Sequence, residues 1–208
     1  MTPELDHLIV GAPDLDAGIR HVEQLLGVSP APGGRHPNLG TKNAILSLGN
    51  GVYLEVLAPD PVGEPPERPR PMGIDDLEVP RFLTWAARVP DLLALVARAR
   101  DRGIDLGEVT HGSRTRPDGT TISWTVTDMW RLRAGGVLPF FIDWGDSEHP
   151  SRTAPSGGVL EELRGLHPEP DVVRAGLAAL GIRLQVEEAE RPGLVASVRT
   201  ADGVVQLG

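Results

Sequence analysis

Apolar runs alternate with helix-like segments along the chain, and this alternation occurs three times. Each helix-like segment opens on a Pro-Asp-apolar tripeptide, at Pro13, Pro90 and Pro170. Each one ends at a glycine, at Gly27, Gly103 or Gly181. Repetition at this scale predicts duplicated supersecondary units that bury their apolar faces against one another. Sites in such proteins form where the copies meet.

The first unit, residues 1–60, begins with a short apolar run at 5–10 that predicts a buried strand. Asp14 is placed to cap a helix whose apolar residues recur at helical spacing up to Leu26. Residues 29–40 are rich in proline and glycine and predict irregular chain with a weak edge strand. Residues 43–48 and 52–57 flank Gly49-Asn50-Gly51, which predicts a tight hairpin. The order is therefore strand, helix, weak strand and hairpin.

The second unit, residues 81–150, repeats this order. Its predicted strands are 82–88, 109–116, 121–131 and 137–144, with a turn at Arg116-Pro117-Asp118-Gly119. The third unit, residues 151–208, is shorter and predicts a partial βαββ arrangement, with a strand at 159–166, a helix at 172–180 and a hairpin at 194–207. The proline-rich segment 61–80 predicts a surface connection that does not pack as a regular element.

Strands that alternate with single helices and end in hairpins cannot form an all-parallel doubly wound sheet. The predicted fold class is α+β, with repeated βαβββ units that form curved mixed sheets and carry their helices on the outer face. The other, concave face is then free for a ligand.

Composition narrows the function classes. The 208 residues carry a net charge of −9, which argues against nucleic acid or an anionic membrane as a partner. There is no long apolar run and no signal-peptide pattern, so a cytoplasmic protein is expected. The absence of cysteine excludes disulfides, thiolate metal sites and a cysteine nucleophile. The expected partner is a small-molecule substrate or ligand, and a homodimer is left open.

Several stretches of the chain are similar to one superfamily. Paired βαβββ units resemble the vicinal oxygen chelate superfamily, which includes glyoxalase I, bleomycin-resistance proteins and extradiol dioxygenases. More narrowly, the chain resembles the glyoxalase-like domain proteins of that superfamily, at residues 5–10, 40–44, 53–60 and 139–144. The superfamily hosts isomerases, lyases, dioxygenases and binding proteins, so the resemblance does not specify a reaction.

The resemblance also implies positions for metal ligands, on the first and last strands of each unit. In the first unit these positions are His7 and Glu55, which suit a divalent ion such as zinc, nickel, manganese or iron. In the second unit the matching positions are Thr84 and Phe141, neither of which is a useful ligand. Asp143 is the candidate for a third ligand, and Glu55 or Asp143 is the candidate catalytic base.

A second set of residues predicts substrate contacts. Strand alternation places Arg114 and Arg116 on one face, where two guanidinium groups can clamp a carboxylate or phosphate, although solvated edge-strand arginines are the simpler interpretation. Tyr53, which alternation places on the same strand face as Glu55 and Leu57, is a candidate wall of the substrate site, and Trp124 is another. His149 can complete the metal site if the loop that carries it folds back, but a surface position is the expectation.

Two hypotheses follow. The first is a metal-dependent lyase, isomerase or dioxygenase acting on a small carbonyl or oxygen-rich substrate. The alternative is a non-catalytic small-molecule binding or sequestering protein of the bleomycin-resistance type, favoured by the missing ligands in the second unit and by the tryptophans.

Overall fold

The chain folds into an eight-stranded closed barrel and a separate four-stranded sheet, as seen in a computed structural model that describes residues 2–62, 66–116 and 118–208. Pro117 of the predicted turn and residues 63–65 of the proline-rich segment therefore lie outside the described residues. The repeated βαβββ units with outer helices that the sequence predicts are confirmed.

The first unit contributes four barrel strands and one helix. Asp14 caps the helix by accepting a hydrogen bond from the Ala17 backbone N–H at 2.8 Å. Gly27 ends it in the left-handed conformation, at φ 73°, which glycine adopts without steric cost. The elements are β1 (Glu4–Gly11), α1 (Leu15–Leu26), β2 (Ala31–His36), β3 (Thr41–Ser47) and β4 (Tyr53–Pro59).

The second unit repeats the pattern with shorter strands. Asp91 caps its helix by accepting from the Ala94 backbone N–H at 2.9 Å. The elements are β5 (Arg81–Arg88), α2 (Leu92–Asp101), β6 (Thr110–Thr115), β7 (Thr121–Val126) and β8 (Phe140–Asp143).

The two units meet twice around the barrel, whose strand order is β1-β4-β3-β2-β6-β7-β8-β5. On one side, β1 and β5 pair along their length in antiparallel fashion. On the other side, β2 and β6 are joined through a single residue pair, Arg35 with Thr115. The barrel therefore has one strong junction between the units and one weak one.

The third unit forms the separate sheet, in the order β10-β9-β11-β12. It contains one more strand than the sequence predicts, because residues 185–188 pair in parallel with β9. The elements are β9 (Val159–His167), α3 (Pro170–Ala179), β10 (Gln185–Glu188), β11 (Gly193–Thr200) and β12 (Gly203–Leu207). One apolar cluster joins this sheet to the outer face of the barrel and to the three helices, and includes Leu8, Leu46, Leu54, Phe141, Leu177 and Val198.

A second apolar cluster lies inside the barrel, and two of its side chains come from the proline-rich connection. We call residues 66–80 the strap. Met72 and Ile74 of the strap are buried against barrel residues such as Ile9 and Trp124. The prediction that this segment only crosses the surface is therefore wrong for its central part, which forms 3-10 turns at Pro71–Asp76. Proline density indicated the irregular backbone but not the packing of its two apolar side chains.

Among the described residues, no helix combines the length and the apolar character needed to cross a membrane.

Candidate functional site

The inside of the barrel contains a cavity with a volume of about 40 Å³. Small-molecule sites in proteins are commonly larger, about 300–1,000 Å³, so a bound ligand would need the lining side chains to move apart. One part of its wall is polar, and the rest is formed by aliphatic, thioether and aromatic side chains. The polar lining residues are His7, His36, Asn43, Tyr53, Glu55 and Arg114.

His7 and Glu55, the two predicted ligands or catalytic groups of the first unit, lie together on this wall. The Nε2 atom of His7 is 3.5 Å from Oε2 of Glu55, and both side chains are at least nine-tenths buried. The predicted strand face is confirmed for Tyr53, Glu55 and Leu57, which all line the cavity. The ring of Tyr53 stacks on the imidazole of His7 with the centroids 4.6 Å apart. The pair is thus held on a rigid wall of β1 and β4.

Asp6, which the sequence argument passed over, fixes the other side of the His7 ring. Its Oδ1 atom lies 2.6 Å from Nδ1 of His7. Simple alternation would turn neighbouring residues of a strand to opposite faces. The pairing of β1 with β5 slips between Leu5 and His7, which makes Asp6 the extra residue of a β-bulge and lets it reach its neighbour. With Nδ1 held by a carboxylate, Nε2 is the ring nitrogen that faces Glu55 and the cavity.

Asp6 also connects His7 to the segment that leaves the second unit. Its Oδ2 atom accepts a hydrogen bond from Nε1 of Trp144 at 3.1 Å and lies 2.9 Å from Nε2 of His149. The expectation that His149 is a surface residue is therefore wrong, because the loop after β8 folds back onto β1. The sequence pattern shows neither the bulge nor this contact.

The carboxyl group of Asp6 is fully buried, and its ionisation is controlled by these partners. Burial alone would raise its pKa, but the hydrogen bonds and charges of His149 and His7 outweigh burial and hold the pKa well below its usual range. Asp6 is therefore a fixed negative charge behind His7 at any pH near neutrality.

Arg114 points into the cavity, whereas Arg116 does not. The Nη1 atom of Arg114 donates to Oδ1 of Asn43 at 3.3 Å, and Nδ2 of Asn43 donates to Oε1 of Glu55 at 2.6 Å. Arg116 follows the end of β6 and pairs with Glu148 at 2.9 Å, away from the cavity lining. Both arginines line a second pocket next to β2, together with Gly33 and Ile45, so they share that surface but not the barrel cavity.

His36 is a further cavity residue that the sequence argument did not select. It ends β2, its Nδ1 atom lies 2.8 Å from Oγ1 of Thr41, and its ring packs edge-on against Trp124. Burial lowers the pKa of His36 to about 4; the charge of Glu55 opposes this shift, and Arg114 adds to it. His36 is therefore neutral near pH 7. A histidine at the end of a glycine-rich edge strand carried no periodic signal that could have identified it.

Asp143 lies on the opposite face of β8 from the cavity. Phe140 and Ile142 of that strand line the cavity, and Asp143 instead accepts a hydrogen bond from the backbone N–H of Gly145 at 2.9 Å. The structure therefore does not bring the proposed third ligand or second base to His7 and Glu55. Trp124 and Tyr53, the other predicted substrate contacts, are both part of the lining.

The register of the barrel gives the positions that match between the two units. His7 pairs with Ala86 and Ile9 pairs with Thr84, so the two-fold arrangement relates His7 to Thr84. Ile9 in turn pairs with Glu55, and Ala86 pairs with Phe140. The residue that matches Glu55 is therefore Phe140. The assignment of this position to Phe141 is wrong by one residue, because Phe141 faces the outer core.

These positions decide whether the residues present fit a divalent metal. Thr84 donates its hydroxyl hydrogen to the carbonyl of Gly136 at 3.0 Å, and Phe140 has no donor atom. Within residues 2–62, 66–116 and 118–208, no three His, Cys, Asp or Glu side chains form a group that could hold a metal ion. Catalytic zinc sites typically use three protein ligands. The donor set of His7 and Glu55 alone does not fit such a site.

The chain is similar in sequence to one described family: the glyoxalase-like domain family matches residues 5–181. Among curated proteins, none is significantly similar to the chain.

Solved structures share the fold. A hypothetical protein from Staphylococcus aureus is 13% identical, with a TM-score of 0.68, and the match covers 99% of each chain. A methylmalonyl-CoA epimerase from Mycobacterium tuberculosis is 24% identical, with a TM-score of 0.44, over 67% of this chain and 87% of that one. A variant of the Streptomyces coelicolor methylmalonyl-CoA epimerase, in complex with 2-nitronate-propionyl-CoA, is 19% identical, with a TM-score of 0.47, over 72% of this chain and 100% of that one. At its identity of 13%, the likeness to the Staphylococcus aureus protein concerns the fold alone.

Proposed function

Because the chain belongs to the glyoxalase-like domain family, we propose that the cavity inside the barrel is a small-molecule site. The proposed activity of this site is the transfer of a proton at a carbon atom next to a carbonyl group. The observation that carries the proposal is the buried His7–Glu55 pair, with its atoms 3.5 Å apart on the cavity wall. The proposed activity is that of an isomerase or lyase whose chemistry is performed by side chains.

The roles follow from the partners of each group. Glu55 has one oxygen occupied by Asn43 and the other directed towards His7, so the second oxygen is the one that accepts a proton from the substrate carbon. His7, with Nδ1 held by Asp6, presents Nε2 to the same space. In its imidazolium form His7 has an N–H on both ring nitrogens: Nδ1–H donates to Asp6, and Nε2–H donates to the carbonyl oxygen as negative charge develops on it.

The proton balance of this step closes within the site. The C–H proton moves to Glu55, the bonding pair moves into the enolate, and the hydrogen bond from His7 stabilises the enolate oxygen. Return of the proton to carbon, on either face or on a neighbouring atom, regenerates both side chains. Asp6 acts only through His7 and is a positioning residue.

A metal-dependent form of this reaction is not part of the proposal, since the donor set does not fit a metal site. One observation supports the alternative hypothesis, a non-catalytic small-molecule binding protein. The larger part of the cavity wall is aromatic, aliphatic and thioether, which also suits simple sequestration of a ligand.

The test is solvent deuterium incorporation into carbonyl compounds, followed by proton NMR. The substrates are neutral and charged alike: hydroxyacetone, dihydroxyacetone, pyruvate and phenylpyruvate. Wild-type protein should accelerate exchange of the hydrogens next to the carbonyl of at least one of them. Glu55→Gln should reduce that rate by about 100-fold or more, because a general base contributes about this much.

The matched control is Glu188→Gln, on the exposed end of β10, which should leave the rate unchanged. Binding of a compound without any catalysed exchange would support sequestration instead, and an unaltered rate in Glu55→Gln would refute the assigned base.

A further inference from the structure

Arg114 carries a positive charge that the described part of the chain does not neutralise. Its side chain projects from β6 into the barrel and is only 3% exposed. Its one hydrogen bond to a described residue goes to the neutral amide of Asn43. No carboxylate of the described residues lies within ion-pair distance of the guanidinium. A buried charge is costly unless it is paired, so this arrangement needs a functional reason.

Asn43 keeps Arg114 apart from the nearest cavity carboxylate. Its amide lies between Arg114 and Glu55 and bonds to both. The charge of Glu55 therefore reaches the guanidinium only through a neutral spacer. The remaining N–H groups of Arg114 are not used by Glu55.

The backbone of β2 makes room for this arrangement. A Cβ atom at Gly33 would collide with Nη1 of Arg114 and with Oδ1 of Asn43. The glycine thus lets both polar groups lie directly over the strand. A guanidinium seated in this way presents a planar fork of donors, which matches the two oxygens of a carboxylate.

Tyr53 adds a donor to the same cavity. A tyrosine hydroxyl carries its hydrogen near pH 7, and this one lies on the cavity wall beside His7. The structure shows no hydrogen bond from this hydroxyl to a described residue. It is a second donor that a ligand oxygen can use.

The count of charges selects the class of anion. His36 is neutral near pH 7, and Arg114 is the one guanidinium among the described cavity-lining residues, whose carboxylate is Glu55. A ligand with one negative charge can place it against Arg114, whereas a phosphate dianion would bring a second negative charge towards Glu55. The rest of the wall requires an apolar body, since it is formed by Ile9, Leu57, Met72, Trp124, Phe140 and Ile142.

We propose that the cavity binds a small monoanionic carboxylate with an apolar body, and that Arg114 is the residue that selects it. The inference rests on the proposed function in sharing its cavity, and it defines the substrate class of that site.

The experiment compares three probes of similar shape on the wild-type protein: phenylacetate, its neutral amide phenylacetamide, and phenylphosphonate. Binding is measured by calorimetry and by quenching of tryptophan fluorescence, because Trp124 and Trp144 line the cavity. Isovalerate, as a smaller carboxylate, guards against a probe that is too large. The carboxylates should bind at least about tenfold more tightly than the amide and the phosphonate, since a charged hydrogen bond is lost in one case and a charge is unpaired in the other.

Arg114→Met keeps the length of the side chain without its charge and should remove this preference. Arg199→Met is the matched control, since Arg199 pairs with Glu161 on the separate four-stranded sheet, and it should bind the carboxylates as wild type does. Arg114→Lys keeps the charge but not the fork, and should bind more weakly than wild type. The comparison of probes on wild-type protein stands even if a variant at Arg114 does not fold.

The inference is overturned by equal binding of acid and amide, by preference for the phosphonate, or by binding of neither carboxylate at about 10 mM. Glu55→Gln separates it from the proposed reaction. That variant retains Arg114, so it should bind the carboxylates while it fails to exchange protons. If the wild-type protein binds carboxylates but does not catalyse exchange, the proposed ligand class is supported and the proposed reaction is refuted. If it catalyses exchange only of neutral ketones, the reaction is supported and the ligand class is refuted.

Discussion

Two buried histidines line the same cavity and differ because their partners differ. His7 lies between two carboxylates, Asp6 and Glu55. His36 has only the hydroxyl of Thr41 and the ring of Trp124 beside it, with Arg114 close enough to disfavour its protonation. One residue type thus serves as a candidate acid–base group in one place and as a neutral polar group in the other.

The lowered pKa of His36 makes part of the stability dependent on pH. Above its usual pKa of 6.5, His36 is neutral in both the folded and the unfolded chain. As the pH falls from 6.5 towards 4, only the unfolded chain takes up the proton, so the folded state loses free energy relative to it. Between pH 7.5 and pH 5 this loss amounts to about 2 kcal/mol. His36→Asn should remove it, which urea unfolding at the two pH values measures.

The control for this prediction is His111→Asn, at an exposed position of β6. That variant should show the same pH dependence as wild type. If the free energy of unfolding falls as much between pH 7.5 and pH 5 in His36→Asn as in wild type, His36 protonates freely in the folded protein.

At the scale of elements, the strap is the segment that completes the cavity. Arg70 anchors it by donating from Nε to the carbonyl of Gly40 at 2.6 Å and from Nη1 to Asp75 at 2.7 Å. Met72 holds a positive φ of 61°, which costs a residue other than glycine about 1–3 kcal/mol. The burial of Met72 and Ile74 in the barrel offsets this cost.

Met72→Ala should therefore lower the free energy of unfolding by about 2–4 kcal/mol, because the buried side chain is lost while the backbone cost remains. Urea denaturation measures this change. Val79→Ala, in the same segment but 60% exposed, is the matched control and should change stability by less than about 0.5 kcal/mol. Equal and small effects of both substitutions would show that the strap does not pack into the barrel in solution.

At the scale of the whole molecule, the barrel is a two-fold arrangement whose halves have different side chains at equivalent positions. The first strand of each unit carries a bulge where β1 pairs with β5: Asp6 is the extra residue of β1, and Leu83 is the extra residue of β5. In the first unit the extra residue is a carboxylate that holds two histidines, and in the second it is a leucine in the inner apolar cluster. Polar chemistry is therefore concentrated in one half of a nearly symmetric scaffold.

This asymmetry predicts a weak response to metals. A divalent ion bound at a concentration about 100-fold above its Kd would add about 2.7 kcal/mol, which corresponds to a rise in Tm of roughly 5–10 °C for a chain of this size. We expect zinc, nickel, manganese and ferrous ions to raise the Tm of the chelator-treated protein by less than about 2 °C. A larger rise that disappears in His7→Ala would contradict this expectation and restore the two-residue metal site.

The sequence by itself determined most of the elements and their repetition, although it did not predict β10. The period of apolar residues in α1, the capping Asp14 and the Gly49-Asn50-Gly51 turn act over a few residues, so their consequences can be predicted locally. The placement of Tyr53, Glu55 and Leu57 on one face also followed from alternation along a regular strand. His7 and Glu55 came from the family resemblance, and the fold brings them together.

Only the tertiary structure decided how the site is completed. The bulge at Asp6 depends on how β1 pairs with β5, which lies about 80 residues away in the chain. It turns the Asp6 side chain away from the strand face that alternation assigns to it. The same long-range register moves the equivalent of Glu55 from Phe141 to Phe140 and turns Asp143 outward. His36, Arg114 and the strap meet inside the barrel because the sheet closes, and closure is a property of all eight strands together. No local pattern encodes such contacts, since they join residues that are distant in the chain.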